Sequence, residues 1–347
     1  MRTQFKSTAA VVVIGGLTLT GVAACGRGGS AGGKSSNQSS NAKIAIVTRD
    51  FSNPYWAALR DGAIAEGKAQ GVTVTVKAGS SETDSQGENS EIQTLAGQDY
   101  GCFGVVPVNA TNVITPLVPI ARKKTPILDL DTQIDPAASK KAGVSYASFI
   151  GSDNLSAGQQ AGKQLLKALG GKGDVAILQG IAGEQNGINR ETGFKSATKG
   201  KLKIVATQPA NYDQNTGLTV ATSMLQAHPS LTGIFAANDT MGLGAAQAVK
   251  NAGKEGKVKI ISVDGIKAML KSVKAGKNTG TITQYPYAEG QMAVQACLAK
   301  IQGKKVPSRV VAPIAFIDSS NVNKAISSFP KPFVPFSDPF GTPKSSK

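Results

Sequence analysis

The chain has 347 residues, of which 40% are hydrophobic and 17% charged, and its formal net charge is +16. These proportions indicate a folded globular body rather than a disordered chain, and the length favours two lobes over a single core. A single histidine and the lack of a CxxC pair argue against a metal site, so we expect neither a metal nor a cofactor.

The first residues, 1–24, have the composition of an export signal. Arg2 and Lys6 give a basic start, and the apolar stretch at 9–19 is shorter than the about 20 residues that a membrane-spanning helix needs. Small residues then lead to a cysteine in Val22-Ala23-Ala24-Cys25. This stretch resembles the lipobox of bacterial lipoproteins, which implies a lipid on Cys25. The alternative is an ordinary secretory signal with an incidental cysteine.

Residues 25–42 are rich in Gly, Ser, Asn and Lys and contain almost no apolar side chain. Such a segment cannot bury enough surface to offset the entropy lost on ordering, so we predict a flexible tether.

Short runs rich in Val and Ile alternate with amphipathic stretches along the rest of the chain. Uninterrupted apolar runs are typical of parallel strands that are buried on both faces, and repeated strand–helix units predict doubly wound α/β sheets. A break near residues 146–153 divides the units into two sets, so we predict two α/β lobes, each with its own parallel sheet. The predicted strands are 43–48, 72–77, 103–106, 126–129, 174–179, 202–207, 233–236, 259–263 and 279–283, and predicted helices include 55–70, 155–169 and 218–226.

Polar and aromatic residues follow the ends of most predicted strands. Ligands of open α/β sheets gather at the carboxyl ends of the strands, so these residues are the candidates for a binding site. Aromatic rings can cover the apolar faces of a sugar, and carboxylates, guanidiniums and amides can pair its hydroxyls. For any single residue, a turn or a helix cap is the alternative role. The candidates are Arg49, Asn53, Tyr55, Trp56, Asp131, Arg190, Tyr212, Asn238, Asp264 and Gln284.

The basic charge is spread along the chain, and its densest run contains no aromatic residue that could stack on a base. We therefore expect a solvated basic face and no nucleic-acid partner. The run comprises Lys250, Lys254, Lys257, Lys259, Lys267, Lys271, Lys274 and Lys277.

Several of these strand ends carry a family resemblance over about residues 43–312. The chain resembles the ribose-binding-protein group of periplasmic binding proteins, which have the type I fold. The stretches that carry the resemblance are Asn53-Pro54-Tyr55-Trp56, Ser152-Asp153-Asn154, Leu178-Gln179-Gly180-Ile181-Ala182-Gly183, Thr207-Gln208-Pro209-Ala210, Phe235-Ala236-Ala237-Asn238-Asp239, Val263-Asp264-Gly265 and Thr283-Gln284.

The resemblance implies a substrate-binding lipoprotein of an ABC transporter. Such a protein captures a monosaccharide or sugar alcohol by hinge closure and presents it to permease subunits in the membrane. We expect a monomer held at the outer face of the cell membrane by its lipid. A sensor subunit for a membrane receptor stays open as an alternative. We do not expect an enzyme, because the only histidine, His228, is not part of an evident nucleophile–base pair.

The resemblance also assigns roles to residues. Tyr55, Trp56 and Tyr212 match aromatic positions that stack on the sugar. The matching polar contacts are Asn53, Asp131, Arg190, Asn238, Asp264 and Gln284.

Three positions depart from the ribose-binding pattern. Arg49 replaces a small hydroxyl residue, Val106 replaces an amide, and Thr132 replaces an arginine. These departures put ribose itself in doubt. We hypothesise that Arg49 supplies the first-lobe guanidinium that Thr132 lacks.

The family architecture predicts three crossings between lobes, near Ile150, Pro286 and Pro313. The first lobe would be 43–149 with 286–312, and the second 150–285 with 313–347, the tail forming an irregular strap over the second lobe. For Cys102 and Cys297, export favours a disulfide over two buried thiols. The implied architecture puts both cysteines in the first lobe, where they could pair.

Overall fold

The computed structural model describes residues 42–340. The predicted export signal at 1–24, the predicted lipidation site Cys25 and all but the last residue of the predicted tether lie outside this range. Within it, no helix combines the length and the apolar character needed to cross a membrane.

The first lobe is built on a six-stranded sheet in the order β11-β5-β4-β3-β1-β2, with every pair parallel. Its strands are β1 (Lys43–Thr48), β2 (Thr73–Ala78), β3 (Cys102–Val105), β4 (Ile127–Leu130), β5 (Ser148–Ser152) and β11 (Arg309–Ala312). Its helices are α1 (Pro54–Gln70), α2 (Ser85–Ala96), α3 (Ile114–Arg122), α4 (Pro136–Lys141) and α10 (Pro286–Ile301).

The second lobe has a six-stranded sheet in the order β12-β10-β9-β8-β6-β7, which is parallel except for the antiparallel edge strand β12. Its strands are β6 (Gly173–Gln179), β7 (Leu202–Pro209), β8 (Leu231–Ala236), β9 (Lys259–Asp264), β10 (Gly280–Thr283) and β12 (Ala315–Ile317). Its helices are α5 (Asn154–Ala168), α6 (Gln185–Thr198), α7 (Gln214–Ala227), α8 (Asp239–Asn251), α9 (Lys267–Lys274) and α11 (Val322–Ser328).

Both faces of each sheet are buried, as the unbroken apolar runs predict. Along β1, Ile44 and Ile46 enter one core cluster, whereas Ala45 and Val47 enter another. Successive side chains of a strand point to opposite faces, so a strand covered on both sides must be apolar throughout. The predicted fold class of two doubly wound parallel-sheet lobes is confirmed.

The chain passes between the two sheets three times, between β5 and β6, between β10 and β11, and between β11 and β12. The predicted break at 146–153 is wrong in part, because β5 is a strand of the first sheet in this segment. Two further strands, β11 and β12, were not predicted. They have four and three residues, too few to show a period.

Two contacts tie distant parts of the chain to the first lobe. Cys102 at the start of β3 and Cys297 in α10 form a disulfide, with a Cα–Cα distance of 5.6 Å. The tail does not stay over the second lobe as expected. Val322 and Phe333 pack in a second-lobe cluster, but Phe336 and Phe340 pack against the first-lobe core. The tail therefore contacts both lobes.

Candidate functional site

One cavity is lined by residues of both lobes. Of the predicted site residues, Arg49, Asn53, Tyr55, Trp56, Asp131, Arg190, Tyr212, Asn238 and Asp264 line it. Gln284 lines a neighbouring cavity instead and donates a hydrogen bond to Asp264 Oδ1 at 2.8 Å. Side chains that are up to 215 residues apart in sequence, as Arg49 and Asp264 are (264 − 49), thus line one cavity.

Arg49 leaves the end of β1 and is almost fully buried. Its Nε donates to the Pro107 carbonyl oxygen at 3.0 Å, and its Nη2 donates to Thr132 Oγ1 at 2.6 Å. Its remaining nitrogen, Nη1, lies 3.8 Å from Glu82 Oε2. Burial alone would lower the pKa of Arg49, but Glu184, Glu82 and Asp131 raise it, so the guanidinium stays charged. Its contact with Thr132 fits the hypothesis that Arg49 serves this part of the first lobe.

Arg190 of α6 is the guanidinium of the second lobe. Its Nε donates to Asn154 Oδ1 at 2.7 Å, and its Nη1 donates to the Ala237 carbonyl oxygen at 2.8 Å. Nη1 also lies 3.6 Å from Asp264 Oδ1. Each lobe therefore places a guanidinium beside a carboxylate at a distance slightly too long for a hydrogen bond. A ligand hydroxyl could bridge such a pair by accepting a hydrogen bond from the guanidinium and donating one to the carboxylate.

Asp131 and Tyr55 form the centre of a hydrogen-bond network. The Tyr55 hydroxyl donates to Asp131 Oδ1 at 2.8 Å, and the Asn186 amide of the second lobe donates to Asp131 Oδ2 at 2.8 Å. Burial, followed by the nearby Asp131 and Glu289, raises the pKa of Tyr55 well above its usual value, so the phenol remains a donor. The predicted stacking aromatic is thus also held by its hydroxyl. Its ring meets that of Trp56 edge-on, with centroids 4.6 Å apart.

The two polar atoms of the Asn238 side-chain amide are in different situations. Its Oδ1 caps α8 by accepting from the Met241 backbone N–H at 3.0 Å. Its Nδ2 is buried and has no hydrogen-bond partner among residues 42–340. A buried amide without a partner costs about 1–3 kcal/mol, which a ligand oxygen would recover. The cap and the ligand contact, posed as alternatives for such residues, are compatible here.

Asn53 has no such free group. Its Oδ1 accepts from the Tyr55 backbone N–H and so caps α1, with Pro54 in the first turn. Its Nδ2 donates to Glu82 Oε1. Asn53 therefore lines the cavity with both amide atoms already engaged.

Asp131, Tyr212 and Asp264 adopt positive φ angles of 56°, 60° and 135°. Non-glycine residues rarely take such angles, and strain of this kind clusters at functional sites. Tyr212 also needs Gly180, because a Cβ at position 180 would overlap its ring. The buried Asp239 holds the loop after β9 by accepting from the Gly265 and Ile266 backbone N–H groups at 2.7 and 2.9 Å.

Three further residues line the cavity that the sequence did not single out: Glu82, Glu184 and Asn186. Glu82 follows β2, and Glu184 and Asn186 follow β6, so their positions after strand ends are a signal for them in the sequence. The predicted set contains only Arg190 after β6 and no residue after β2.

The described part of the chain has no group of three or more side chains suited to hold a metal ion. The cavity offers fixed hydrogen-bond donors and acceptors, three aromatic side chains and, among the residues that line it, no nucleophile paired with a base. Such a site can bind and release a polar ligand.

Residues 44–305 match the family described as periplasmic binding protein domain. The chain is 36% identical to the D-allose-binding periplasmic protein of Escherichia coli, over 80% of this chain and 91% of that one. It is 28% identical to the xylitol-binding protein of Mycolicibacterium smegmatis, over 93% and 89%. A solved ABC transporter periplasmic solute-binding protein from Actinobacillus succinogenes with bound D-allose superposes with a TM-score of 0.78 at 33% identity, covering 82% and 99%.

Proposed function

The chain belongs to the periplasmic binding protein domain family, in its ribose-binding-like type I group, and we propose that it binds a monosaccharide or sugar alcohol for an ABC importer. The family consists of extracytoplasmic solute-binding proteins that are not enzymes. The single observation that carries the proposal is the cavity with a guanidinium–carboxylate gap from each lobe, Arg49–Glu82 and Arg190–Asp264.

Binding would proceed by hinge closure. The first-lobe set contains Arg49 and Asp131, and the second-lobe set contains Arg190, Asn238 and Asp264, so only the closed form satisfies a ligand on both sides. A ligand then shifts the population toward the closed form by its differential affinity for it. The proposed lobes are 43–149 with 286–312, and 150–285 with 313–347. Sheet membership supports this division except at residues 150–152, which complete β5 of the first sheet, and the contacts of Phe336 and Phe340 with the first-lobe core argue against assigning the end of the tail to the second lobe.

The ligand screen is a thermal-shift assay with monosaccharides and polyols, followed by calorimetry of each hit. A ligand that binds only the folded state raises the melting temperature, so a micromolar ligand at millimolar concentration should give a clear shift. We expect hits among compounds such as D-allose and xylitol. A folded protein that no monosaccharide or polyol stabilises would contradict the proposal.

We also propose that the protein is a monomer attached to the outer face of the membrane by a lipid on Cys25. The small residues before Cys25 and the tether composition of 25–42 support this. Detergent partitioning of the exported protein should follow Cys25, and the Cys25→Ser variant should move to the aqueous phase. Light scattering of the soluble body should give the mass of one chain.

A further inference from the structure

Glu82 lies in the loop between β2 and α2, and its side chain is 11% exposed. Its Oε1 accepts hydrogen bonds from Asn53 Nδ2 and from Trp56 Nε1, the latter at 2.8 Å. Both donors belong to the predicted ligand-binding set. The carboxylate is therefore held in one orientation by the site itself.

The other oxygen of Glu82, Oε2, is buried and has no hydrogen-bond partner among the described residues. It lies 3.8 Å from Arg49 Nη1, which is an ion-pair distance but not a hydrogen-bond distance. A ligand hydroxyl can donate to this oxygen and accept from Arg49 at the same time. A ligand carboxylate or phosphate oxygen has no proton to donate and would face Glu82 with like charge.

The charge of the whole cavity also disfavours an anionic ligand. Four carboxylates line it, from Glu82, Asp131, Glu184 and Asp264, against the two guanidiniums of Arg49 and Arg190. Burial raises the pKa of Glu82, an effect that Arg49 partly offsets, and burial raises the pKa of Asp264 well above its usual value. The cavity thus already disfavours negative charge, and an anionic ligand would add a further unfavourable electrostatic and desolvation free energy.

We propose, in an inference that rests on the proposed function, that Glu82 is a specificity-determining residue whose Oε2 accepts a hydrogen bond from a ligand hydroxyl. With the other carboxylates, it restricts the cavity to uncharged polyhydroxyl compounds and excludes sugar acids and sugar phosphates.

The test compares neutral compounds with their acids by calorimetry, using D-allose against D-allonate and xylitol against D-xylonate. We expect the wild-type protein to bind at least one neutral member about 100-fold more tightly than its acid. The Glu82→Gln variant keeps an oxygen for Asn53 and Trp56 but removes the charge. It should bind the neutral ligand about tenfold more weakly and should lose most of the discrimination against the acid.

Glu91→Gln is the matched control, since Glu91 lies on α2 and does not line the cavity. Equal affinity of the wild type for a neutral ligand and its acid would overturn the inference while leaving the proposed function intact. So would a folded Glu82→Gln variant with unchanged affinities. The wild-type comparison decides the matter even if the variant does not fold. Failure of the wild type to bind any monosaccharide or polyol in the screen would instead refute the proposed function, and the inference with it.

Discussion

Arg49 and Glu184 form a buried ion pair that joins the two lobes, with Arg49 Nη2 3.0 Å from Glu184 Oε1. Arg49 follows β1, and Glu184 caps α6 by accepting from the Asn186 and Gly187 backbone N–H groups. The Tyr212 hydroxyl also donates to Glu184, at 2.6 Å. Burial alone would raise the pKa of Glu184, but Arg49, Tyr212 and Gly187 lower it, so the carboxylate stays charged. The pair is a direct link between the lobes.

Replacing Arg49 by Met should weaken ligand binding at least about tenfold, because the first lobe loses its guanidinium. The free energy of unfolding should fall by about 3–5 kcal/mol, because Glu184 is left buried without its partner. The double variant Arg49→Met, Glu184→Gln should recover most of the stability but not the affinity. Calorimetry and chemical denaturation measure the two quantities. If Arg49→Met binds the ligand as the wild type does, Arg49 is not the first-lobe guanidinium.

The Asn238→Ser variant separates the cap from the ligand contact. Ser is about as good a cap as Asn and adds no charge to the cavity, so α8 and the melting temperature should change little. The Nδ2 donor is removed, so ligand affinity should fall about tenfold or more. Asn238→Ala is the comparison, which should lose about 1 kcal/mol of stability as well as affinity. Unchanged affinity in Asn238→Ser would mean that Nδ2 does not contact the ligand.

The Cys102–Cys297 disulfide closes a long loop, with a sequence separation of 195 residues. A link of this kind restricts the unfolded chain, so the double replacement by Ser should lower the free energy of unfolding by about 2–4 kcal/mol. Ligand affinity should change little, because neither cysteine lines the cavity. Denaturation of the wild type with and without reductant provides the control. Identical curves under both conditions would rule out a stabilising disulfide.

Glu88 on α2 gives a pH dependence outside the cavity. Burial raises its pKa from 4.5 to about 7, and its Oε1 lacks a partner among the described residues. The folded state therefore holds this proton more tightly than the unfolded state, so stability is lost as the pH rises from about 4.5 to about 7.

The Glu88→Gln variant should match the wild type near pH 4 and exceed its stability at pH 8, by on the order of 3 kcal/mol. Chemical denaturation across this pH range measures the difference between the two proteins. Glu91→Gln on the same helix is the control and should give no such trend. A difference between Glu88→Gln and wild type that does not grow with pH would contradict the assignment.

The parallel strands were readable from the sequence because burial on both faces demands continuous apolar runs. The boundaries of β1 were predicted as observed, at Lys43–Thr48, and most other strands were placed within two residues. The sequence predicts a break where β5 lies, because Gly151 and the serines at the ends of β5 interrupt the apolar run. The edge strands β11 and β12 are defined by their partners and not by a period of their own.

By itself the sequence determined the α/β class, the two-lobed organisation and the chemical inventory of the strand ends, since local periodicity and residue type encode these properties. Only the tertiary structure decided which side chains meet. It engaged both amide atoms of Asn53, left the amide nitrogen of Asn238 without a partner among residues 42–340, and brought Glu184 to Arg49. Arg49 and Glu184 are 135 residues apart in sequence. Their contact depends on how the two lobes pack against each other, which no local sequence pattern indicates.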